Sequence, residues 1–438
     1  MYKRILRRNY KVIELLEMGR KMLEESEICM EEAITSEKLE AALSDQRLTL
    51  SIIGQFKRGK SSLINKMLGK KFLPVGIIPI TSVVTKIIKG EEKVFVYFED
   101  GAIRETTVEG LEEYINEQQN PNNIKEVSQV TVQTQGEILN RGINLVDTPG
   151  VGSIHKHNTK VAYDFIRESD GAIFMLSVDS PVNEIEIDFL KEAKAYPGSF
   201  YFVVNKADMV DKEDLDIYIE YCRSLLSGIM DMEKEDVKLF PVSAKTGEGI
   251  SELEDFILED LEARRAEIME LSAAKRMIDI INRGLMRMSM YWTATRMSGG
   301  NFDFRFNKLA EAIEGEKCEY FKSLNSAKEE ELSVSQLTTG LNKLKKALTV
   351  QVKENFDIDY YYQVEGVVVS DKDKAASSKE IDVFRKRGEE MCKDLDKTLN
   401  TLLLYREDDS IVVAKRIRTL KRIQFQLKGI REALSRTI

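Results

Sequence analysis

The chain has 438 residues, of which 42% are hydrophobic and 32% are charged, and its formal net charge is −9. This composition is typical of a helix-rich protein of roughly two to four domains, and the negative charge argues against general binding to nucleic acid. The four cysteines form no CxxC pair, which argues against a disulfide framework or a zinc site and favours a reducing cytoplasm.

A helical pattern opens the chain, from about residue 10 to residue 45. The basic N-terminus is followed by Glu14 and Glu17 before any apolar core can form, so we expect no signal peptide. Apolar residues then recur at spacings of three, four and seven, among them Val12, Leu15, Leu16, Met22 and Leu23. We therefore predict an N-terminal helical segment over residues 1–46.

Short apolar runs alternate with helical stretches from about residue 47 to residue 262. The runs LTLSII, VFVYF, INLV, AIFML, FYFVV and KLFPV begin at residues 48, 94, 143, 172, 200 and 238. Strands that alternate with helices favour a mainly parallel sheet covered on both faces. We therefore predict a doubly wound α/β domain over residues 47–262.

Helical periodicity returns from residue 263 to residue 438. Four apolar stripes include Ile278 to Met288, Leu337 to Leu348, Met391 to Leu402 and Ile417 to Leu434. A helix with one apolar stripe must bury it against a partner, so long antiparallel helices are the natural interpretation. We predict an α-helical bundle over residues 263–438, with the N-terminal helices packed onto it.

A glycine-rich turn follows the first predicted strand and precedes an apolar helix that begins near Ser62. It reads Gly54-Gln55-Phe56-Lys57-Arg58-Gly59-Lys60-Ser61, a G-x-x-x-x-G-K-S pattern in the context that the motif requires. Its backbone amides and the helix N-terminus would hold phosphates. Lys60 would reach the β and γ oxygens, and Ser61 would bind magnesium.

A second motif, Asp147-Thr148-Pro149-Gly150, follows the strand that begins at residue 143. Asp147 would hold magnesium directly or through water, and the Gly150 amide would face the γ-phosphate. A threonine that senses the γ-phosphate and magnesium must lie between the two motifs. The candidates are Thr81, Ser82 and Thr85, and spacing alone does not choose among them.

Two further motifs predict that the base is guanine. In Asn205-Lys206-Ala207-Asp208, the Asp208 carboxylate can accept two hydrogen bonds that guanine offers and adenine does not. Asn205 would brace neighbouring loops, and the Lys206 stem would cover the base. Ser243-Ala244-Lys245 would complete the base pocket, chiefly by its backbone. The four motifs together predict a GTPase that binds GTP or GDP with Mg²⁺.

The sequence resembles bacterial dynamin-like proteins of the dynamin superfamily. The resemblance covers about residues 47–262 and is carried by GQFKRGKSSL from Gly54, FLPVGIIPIT from Phe72 and DTPGVGSIHKHNT from Asp147. It implies that Thr81 is the switch threonine and a magnesium ligand. It also implies nucleotide-dependent dimerisation through GTPase domains, a helical neck and trunk with coiled-coil character, and mechanochemical work on a membrane, with the protein peripheral to the inner face of the cell membrane.

One position departs from the family pattern. Dynamins carry a small polar residue at the fourth P-loop position, where it helps to bind a catalytic monovalent cation, and this chain has Lys57. An ammonium resembles potassium in size and charge, so we hypothesise that Lys57 replaces that cation, with Arg58 as the second candidate. The alternative is that Lys57 points to solvent. No glutamine follows the DTPG motif, which leaves room for a contribution from a second molecule.

Several segments allow a functional or a structural interpretation. His155 and His157 could position water or bind a metal, or they could be polar residues of a switch loop. Tyr360 to Tyr362 with Val367 to Val369 could insert into a membrane or pack between helices. A basic run could bind anionic lipid or form a solvated face; it contains Lys415, Arg416, Arg418, Lys421, Arg422, Lys428, Arg431 and Arg436.

Two rival functions share these motifs. A regulatory GTPase of the ribosome- or RNA-associated kind should carry a compact, basic, strand-containing module near its carboxyl end, where this sequence predicts long helices. A subunit of a heterodimer could instead lack its own membrane tip and depend on a second dynamin-like subunit for it.

Overall fold

The computed structural model describes residues 10–75, 83–116, 118–120, 123–151, 162, 165–326, 332–358, 360, 378–406 and 410–438. The chain divides into two compact units. One unit, which we call the sheet unit, consists of residues 42–276. The other, which we call the helical unit, consists of residues 1–41 and 277–438.

A nine-stranded sheet forms the centre of the sheet unit in the described residues. Its strands are β1 (Leu48–Gly54), β2 (Thr85–Lys89), β3 (Lys93–Phe98), β4 (Ile103–Thr106), β5 (Val127–Thr134), β6 (Ile143–Asp147), β7 (Gly171–Ser177), β8 (Ser199–Asn205) and β9 (Leu239–Pro241). They lie in the order β4-β3-β5-β2-β6-β1-β7-β8-β9, with five parallel and three antiparallel pairings. The predicted fold class, a mainly parallel α/β sheet, is confirmed.

Burial along the strands follows their position in the sheet. Every residue of β6 and β7 is buried, and because successive side chains point to opposite faces, both faces of the sheet are covered there. The edge strand β4 is mostly exposed. The central strands are therefore continuous apolar runs, as parallel strands covered on both faces require.

Helices surround the sheet and make up the helical unit. They are α1 (Val12–Glu25), α2 (Met30–Asp45), α3 (Lys60–Met67), α4 (Glu112–Ile115), α5 (Glu137–Asn140), α6 (Glu184–Ala193), α7 (Lys212–Met230), α8 (Ile250–Arg296), α9 (Gly299–Ser326), α10 (Val334–Phe356), α11 (Ser378–Tyr405) and α12 (Ser410–Ser435). Helix α8 continues through residues 262 and 276 without a break. The domain boundaries placed after residues 46 and 262 stay predictions, and the second falls inside this helix.

Apolar stripes form the core of the helical unit. The stripe predicted on α10 is buried throughout, at Leu337, Leu341, Leu344 and Leu348. Helix α1 packs against α12, and the thiol of Cys29, the residue before α2, donates to the Gly284 carbonyl at 3.6 Å. The helices that precede and follow the sheet unit therefore pack against each other.

Of the tyrosine and valine segment, the structure describes Tyr360 alone. Its ring is buried, and its hydroxyl donates to Asp394 Oδ2 at 2.7 Å. Tyr360 is therefore a packed core residue. Tyr361, Tyr362 and Val367 to Val369 lie outside the described residues, so the membrane-inserting interpretation of that segment stays a prediction.

The basic run lies on α12 except for Arg436, which follows the helix, and several of its members contact acids of the helical unit. Arg416 Nη2 is 3.1 Å from Glu27 Oε2, and Arg422 forms an ion pair with Glu25. These cations are partly neutralised at the surface of the unit. Those that the structure places in exposed positions on α12 are Lys415, Arg418, Lys421, Arg422 and Lys428.

Candidate nucleotide-binding site

Four predicted motifs meet at the carboxyl edge of the parallel strands. Strand β1 ends at Gly54, where the glycine-rich turn begins, and β6 ends at Asp147. Strand β8 ends at Asn205, and the turn after β9 carries Ser243. In open α/β sheets ligands bind at this edge, so the topology places all four motifs where one ligand can touch them.

The glycine-rich turn closes around the Lys60 side chain. Lys60 is buried, and its Nζ donates to the carbonyls of Gly54 at 3.0 Å and Gln55 at 3.2 Å. Gly59 has a φ of +92°, and a Cβ there would lie 2.3 Å from Asn205 Nδ2, so the turn requires glycine. Burial lowers the pKa of Lys60 to about 8 because the ammonium has lost water. An anionic phosphate would compensate this buried cation.

Ser61 and Asp147 face each other beside Lys60. Ser61 Oγ donates to Asp147 Oδ2 at 2.7 Å, and the buried Asp147 Oδ1 has no hydrogen-bond partner. Burial raises the pKa of Asp147 to about 6, against the opposing effect of the Lys60 charge. An unpartnered carboxylate oxygen beside a hydroxyl fits Mg²⁺, which takes oxygen ligands and keeps several waters.

The DTPG turn lies directly against the glycine-rich turn. The Val151 amide donates to the Gly54 carbonyl at 3.1 Å. At Gly150, an added Cβ would lie 2.8 Å from the backbone nitrogen of Phe56, which leaves no space for a side chain. The two phosphate-facing motifs therefore form one packed surface.

Asn205 links three of the loops. Its Nδ2 donates to the Arg58 carbonyl at 2.8 Å, and its Oδ1 accepts from the Ala244 amide at 3.0 Å. This is the bracing geometry that the sequence predicts for Asn205, and it joins the glycine-rich turn to the loop after β9.

The Asp208 carboxylate is held at the other end of the site. Its Oδ1 accepts from Ser243 Oγ at 2.6 Å, while the Lys245 side chain is 86% exposed. Lys206 adopts the left-handed conformation, with φ 63°, and its Nζ donates to Asp179 Oδ2 at 2.6 Å. Ser243 thus orients the carboxylate, whose Oδ2 lies 3.9 Å from the exposed Lys245 ammonium.

The structure contradicts the expectation that Arg58 is a second candidate for the catalytic cation. Its side chain is 2% exposed, and Nε and Nη2 donate to the two oxygens of the buried Glu186 at 2.8 and 2.6 Å. The remaining donors reach Ser177 Oγ and the carbonyls of Ser180 and Pro181. All five N–H groups are therefore used within the protein, and none is left for a phosphate.

Lys57 differs from its neighbour. It is exposed, it has a φ of +68°, and its Nζ lies 5.4 Å from the centroid of the Phe56 ring. Its ammonium is therefore accessible at the rim of the turn, and the hypothesis that it serves as the missing cation stays a prediction.

Other predicted residues lie outside the described part of the chain, namely Thr81, Ser82, His155 and His157. Thr85 is described: it is a buried strand residue, paired in register with Asp147 across β2 and β6. Ser62 lies in the first turn of α3, directly after Ser61 in the sequence.

Three residues near the site were missed by the sequence reasoning, namely Asp179, Asn183 and Glu186. Asn183 caps α6 by accepting from the Glu186 amide at 3.1 Å, and its Nδ2 donates to Gln55 Oε1 at 2.8 Å. The pattern Asn-x-x-Glu after a buried strand indicates a capping box and could have located the start of α6. It carries no information about the contact with the glycine-rich turn.

None of the helices in the described part of the chain combines the length and the apolar character needed to cross a bilayer.

Comparison with known proteins identifies similar chains. Residues 50–208 match the sequence model of the dynamin family. An uncharacterised protein from the xynA 3′ region of Caldicellulosiruptor sp. strain Rt8B.4 is 34% identical over 334 residues, which make up 72% of this chain and 82% of that protein.

Two named relatives match a shorter part. The probable transmembrane GTPase FZO-like, chloroplastic, of Arabidopsis thaliana is 30% identical over 46% of this chain and 20% of its own length. Dynamin-like protein 2 of Campylobacter jejuni is 32% identical over 44% of this chain and 31% of its own length. The alignments with these two relatives thus cover a third of their length or less.

Proposed function

Because this chain belongs to the dynamin family and is a GTPase, we propose that its motifs form one site for GTP and Mg²⁺. The observation that carries the proposal is the buried Lys60 ammonium at the strand ends together with Asp147, whose buried Oδ1 atom has no hydrogen-bond partner. Burying such groups is costly, and a bound phosphate with its cation would give the ammonium an anionic partner and the carboxylate oxygen a ligand. The proposed nucleotide contacts are residues 54–62, Asp147, Gly150, Asn205, Lys206, Asp208, Ser243, Ala244 and Lys245.

Each residue has a defined task in this proposal. Lys60 binds the β and γ oxygens, and the Gly150 amide orients the attacking water. Ser61 and Asp147 hold Mg²⁺, with Thr81 assigned to it from the sequence. The bound ion supplies charge neutralisation at the phosphates. Catalysis of this kind consists of positioning and electrostatic stabilisation, and Lys57 would add the last positive charge.

The metal assignment can be tested without measuring turnover. Ser61→Ala should weaken the Mg²⁺ dependence of GDP binding, because one of the protein oxygens assigned to the ion is lost. Ser224→Ala, which removes an exposed hydroxyl that donates to the carbonyl and the carboxylate of Glu220, is the matched control. GDP titrations at several Mg²⁺ concentrations would give the result, and an unchanged Mg²⁺ dependence in Ser61→Ala would refute the assignment.

The finer proposal is that the protein is mechanochemical and remodels, fuses or divides a membrane from its inner cytoplasmic face. It rests on the family and on the names of the relatives, one of which is called a probable transmembrane GTPase. The exposed cations Lys421, Arg422 and Lys428 lie three or four residues from Phe425 on α12, and Phe425 is itself 56% exposed. Cations with an aromatic residue suit an anionic lipid surface. Sedimentation with anionic and neutral vesicles, with and without a non-hydrolysable GTP analogue, tests it. Equal sedimentation with both vesicle types would contradict the electrostatic part.

Self-association through the sheet units is the second part of the proposal, with a second dynamin-like subunit as the other partner. It is motivated by the family and by the lack of a glutamine after DTPG. Specific activity should rise with protein concentration, and a transition-state mimic should shift the protein to a dimer in size-exclusion chromatography. A flat activity curve together with a monomer in the mimic would reject it.

The RNA-associated alternative has less support. The described residues beyond α8 contain helices and no regular strand, whereas such a factor should carry a compact basic module with strands. RNA binding measured beside the vesicle experiment separates the two functions directly.

A further inference from the structure

Arg58 lies within the glycine-rich turn, where the backbone changes direction sharply, and it is held in place by hydrogen bonds. The residues on either side, Lys57 and Gly59, both have positive φ, at +68° and +92°. The Arg58 carbonyl is bound by Asn205, and its side chain passes into the sheet unit to meet Glu186. Backbone and side chain are thus held from two directions.

The side-chain contacts all belong to one short connection. This connection, residues 177–186, joins β7 to the first turn of α6, and Arg58 donates to Ser177, Ser180, Pro181 and Glu186 within it. Glu186 is 0% exposed, so the ion pair has no access to water. In such surroundings a bidentate guanidinium–carboxylate pair imposes a defined geometry on both of its segments.

The same connection also reaches both ends of the nucleotide site. Asn183 Nδ2 donates to Gln55 Oε1 at 2.8 Å in the glycine-rich turn. Asp179 Oδ2 accepts from Lys206 Nζ at 2.6 Å in the guanine-binding motif. Residues 177–186 therefore contact the phosphate end through Arg58 and Gln55 and, separately, the base end through Lys206. The Arg58–Glu186 pair belongs to the first set of contacts.

We propose that the Arg58–Glu186 ion pair is a positioning device that fixes the glycine-rich turn in the shape that receives the β-phosphate. The proposal rests on the nucleotide site proposed above. Arg58 acts here through the loop and not on the reacting atoms, because all of its donors are used inside the protein. Its partner lies 128 residues further along the chain.

The test compares the affinity for GDP with the affinity for GMP, which lacks the β-phosphate. Glu186→Gln keeps the shape and one acceptor oxygen but removes the charge, and Arg58→Lys keeps the charge but loses the bidentate geometry. Each should raise the Kd for GDP about tenfold, the equivalent of one charge-assisted hydrogen bond, and leave the Kd for GMP unchanged. Isothermal titration calorimetry on the full chain measures both ligands.

A purely structural role would give a different result. Loss of stability reduces the folded fraction and weakens GDP and GMP binding by the same factor. Asp260→Asn is the matched control, since Asp260 accepts from Lys238 at 2.7 Å and Tyr201 at 2.6 Å in a partly buried ion pair of the same unit. It should leave the ratio of the two Kd values at the native value.

The outcomes separate this inference from the proposed site. If Lys60→Ala weakens GDP binding but neither ion-pair variant changes the GDP to GMP ratio, the positioning role is wrong and the site stands. If Lys60→Ala leaves GDP binding unchanged, the site and the inference both fail. Should Glu186→Gln not fold, Arg58→Lys decides the matter by the same ratio.

Discussion

The sheet unit and the helical unit each contain arginine–glutamate ion pairs, and the pairs Arg58–Glu186 and Arg422–Glu25 differ in burial. In the sheet unit, Arg58 and Glu186 are 2% and 0% exposed and form a closed ion pair beside the nucleotide site. In the helical unit, the comparable pair Arg422–Glu25 is 54% and 41% exposed, and the core consists of apolar stripes. The same residue types therefore fix the geometry of a site in one unit and contribute little in the other, because burial sets the strength of an ion pair.

The largest expected effect concerns the base end of the sheet unit. Asp208→Asn should weaken GTP binding by about 10⁴-fold, since one of the two carboxylate acceptors becomes an amide donor that faces a guanine donor, and should favour xanthosine nucleotides. Fluorescence titration with GTP and XTP measures both changes. Asp216→Asn, the same change at an exposed position of α7, is the control and should change the GTP affinity little. Unchanged GTP affinity in Asp208→Asn would show that the base pocket is assigned to the wrong residues.

A core residue and a surface ion pair of the helical unit provide the next contrast. Leu348 is 0% exposed, and Leu348→Ala should lower the free energy of unfolding of that unit by about 2–5 kcal/mol. Arg422→Ala should lower it by at most about 1 kcal/mol, because the pair is solvated. Urea denaturation followed by circular dichroism compares the two variants. Equal losses of unfolding free energy in the two variants would mean that the surface ion pair stabilises the helical unit more than its exposure indicates.

The motifs come together in the fold because each follows a strand of the mainly parallel sheet. Once Gly54, Asp147 and Asn205 are placed at strand ends, the topology brings them to one edge without further information. The apolar stripe of α10 is another local pattern, and it predicted burial correctly.

The parts that the sequence did not predict depend on contacts between distant residues. Arg58 looked like a free cation because its partner Glu186 is 128 residues away, and a pattern in one segment does not identify such a partner. The boundary placed after residue 262 falls inside α8 because helical periodicity has no feature there to mark the passage from one unit to the other.

Lys57 provides a third test, within the glycine-rich turn itself. Its exposed ammonium contrasts with the buried guanidinium of Arg58, so the two neighbours should respond differently. Lys57→Ala should lower kcat about a hundredfold with little change in GTP binding, as expected for a charge that acts mainly in the transition state. Hydrolysis by the native protein should not depend on potassium, and Lys57→Ser should regain activity only when potassium is added. Full turnover in Lys57→Ala, or strong potassium dependence of the native protein, would show that Lys57 points to solvent without a catalytic role.

The smallest expected effect is a pH dependence that belongs to the sheet unit and arises at Glu254 on α8. Burial, with the charges of Glu137 and Asp255, raises the pKa of this half-buried carboxyl to about 7. Between the ordinary glutamate pKa of about 4.5 and pH 7, the folded protein holds a proton that the unfolded chain has released. The Glu254 contribution to stability is therefore complete below about pH 4.5 and is lost as the pH rises through 7.

Glu254→Gln removes this titration, so the variant should be more stable than the native protein above pH 7, by at most about 1 kcal/mol after solvent screening. Its advantage should shrink towards pH 5. The measurement is the difference between the two urea-unfolding curves at each pH, because Asp147, whose pKa is also raised, to about 6, titrates in both proteins and cancels. Glu259→Gln, an exposed carboxyl change on the same helix, is the control. A difference in unfolding free energy that stays constant from pH 5 to pH 8 would mean that Glu254 is ionised throughout this range. The polar groups whose burial measurably lowers the stability of the sheet unit would then be confined to its nucleotide edge.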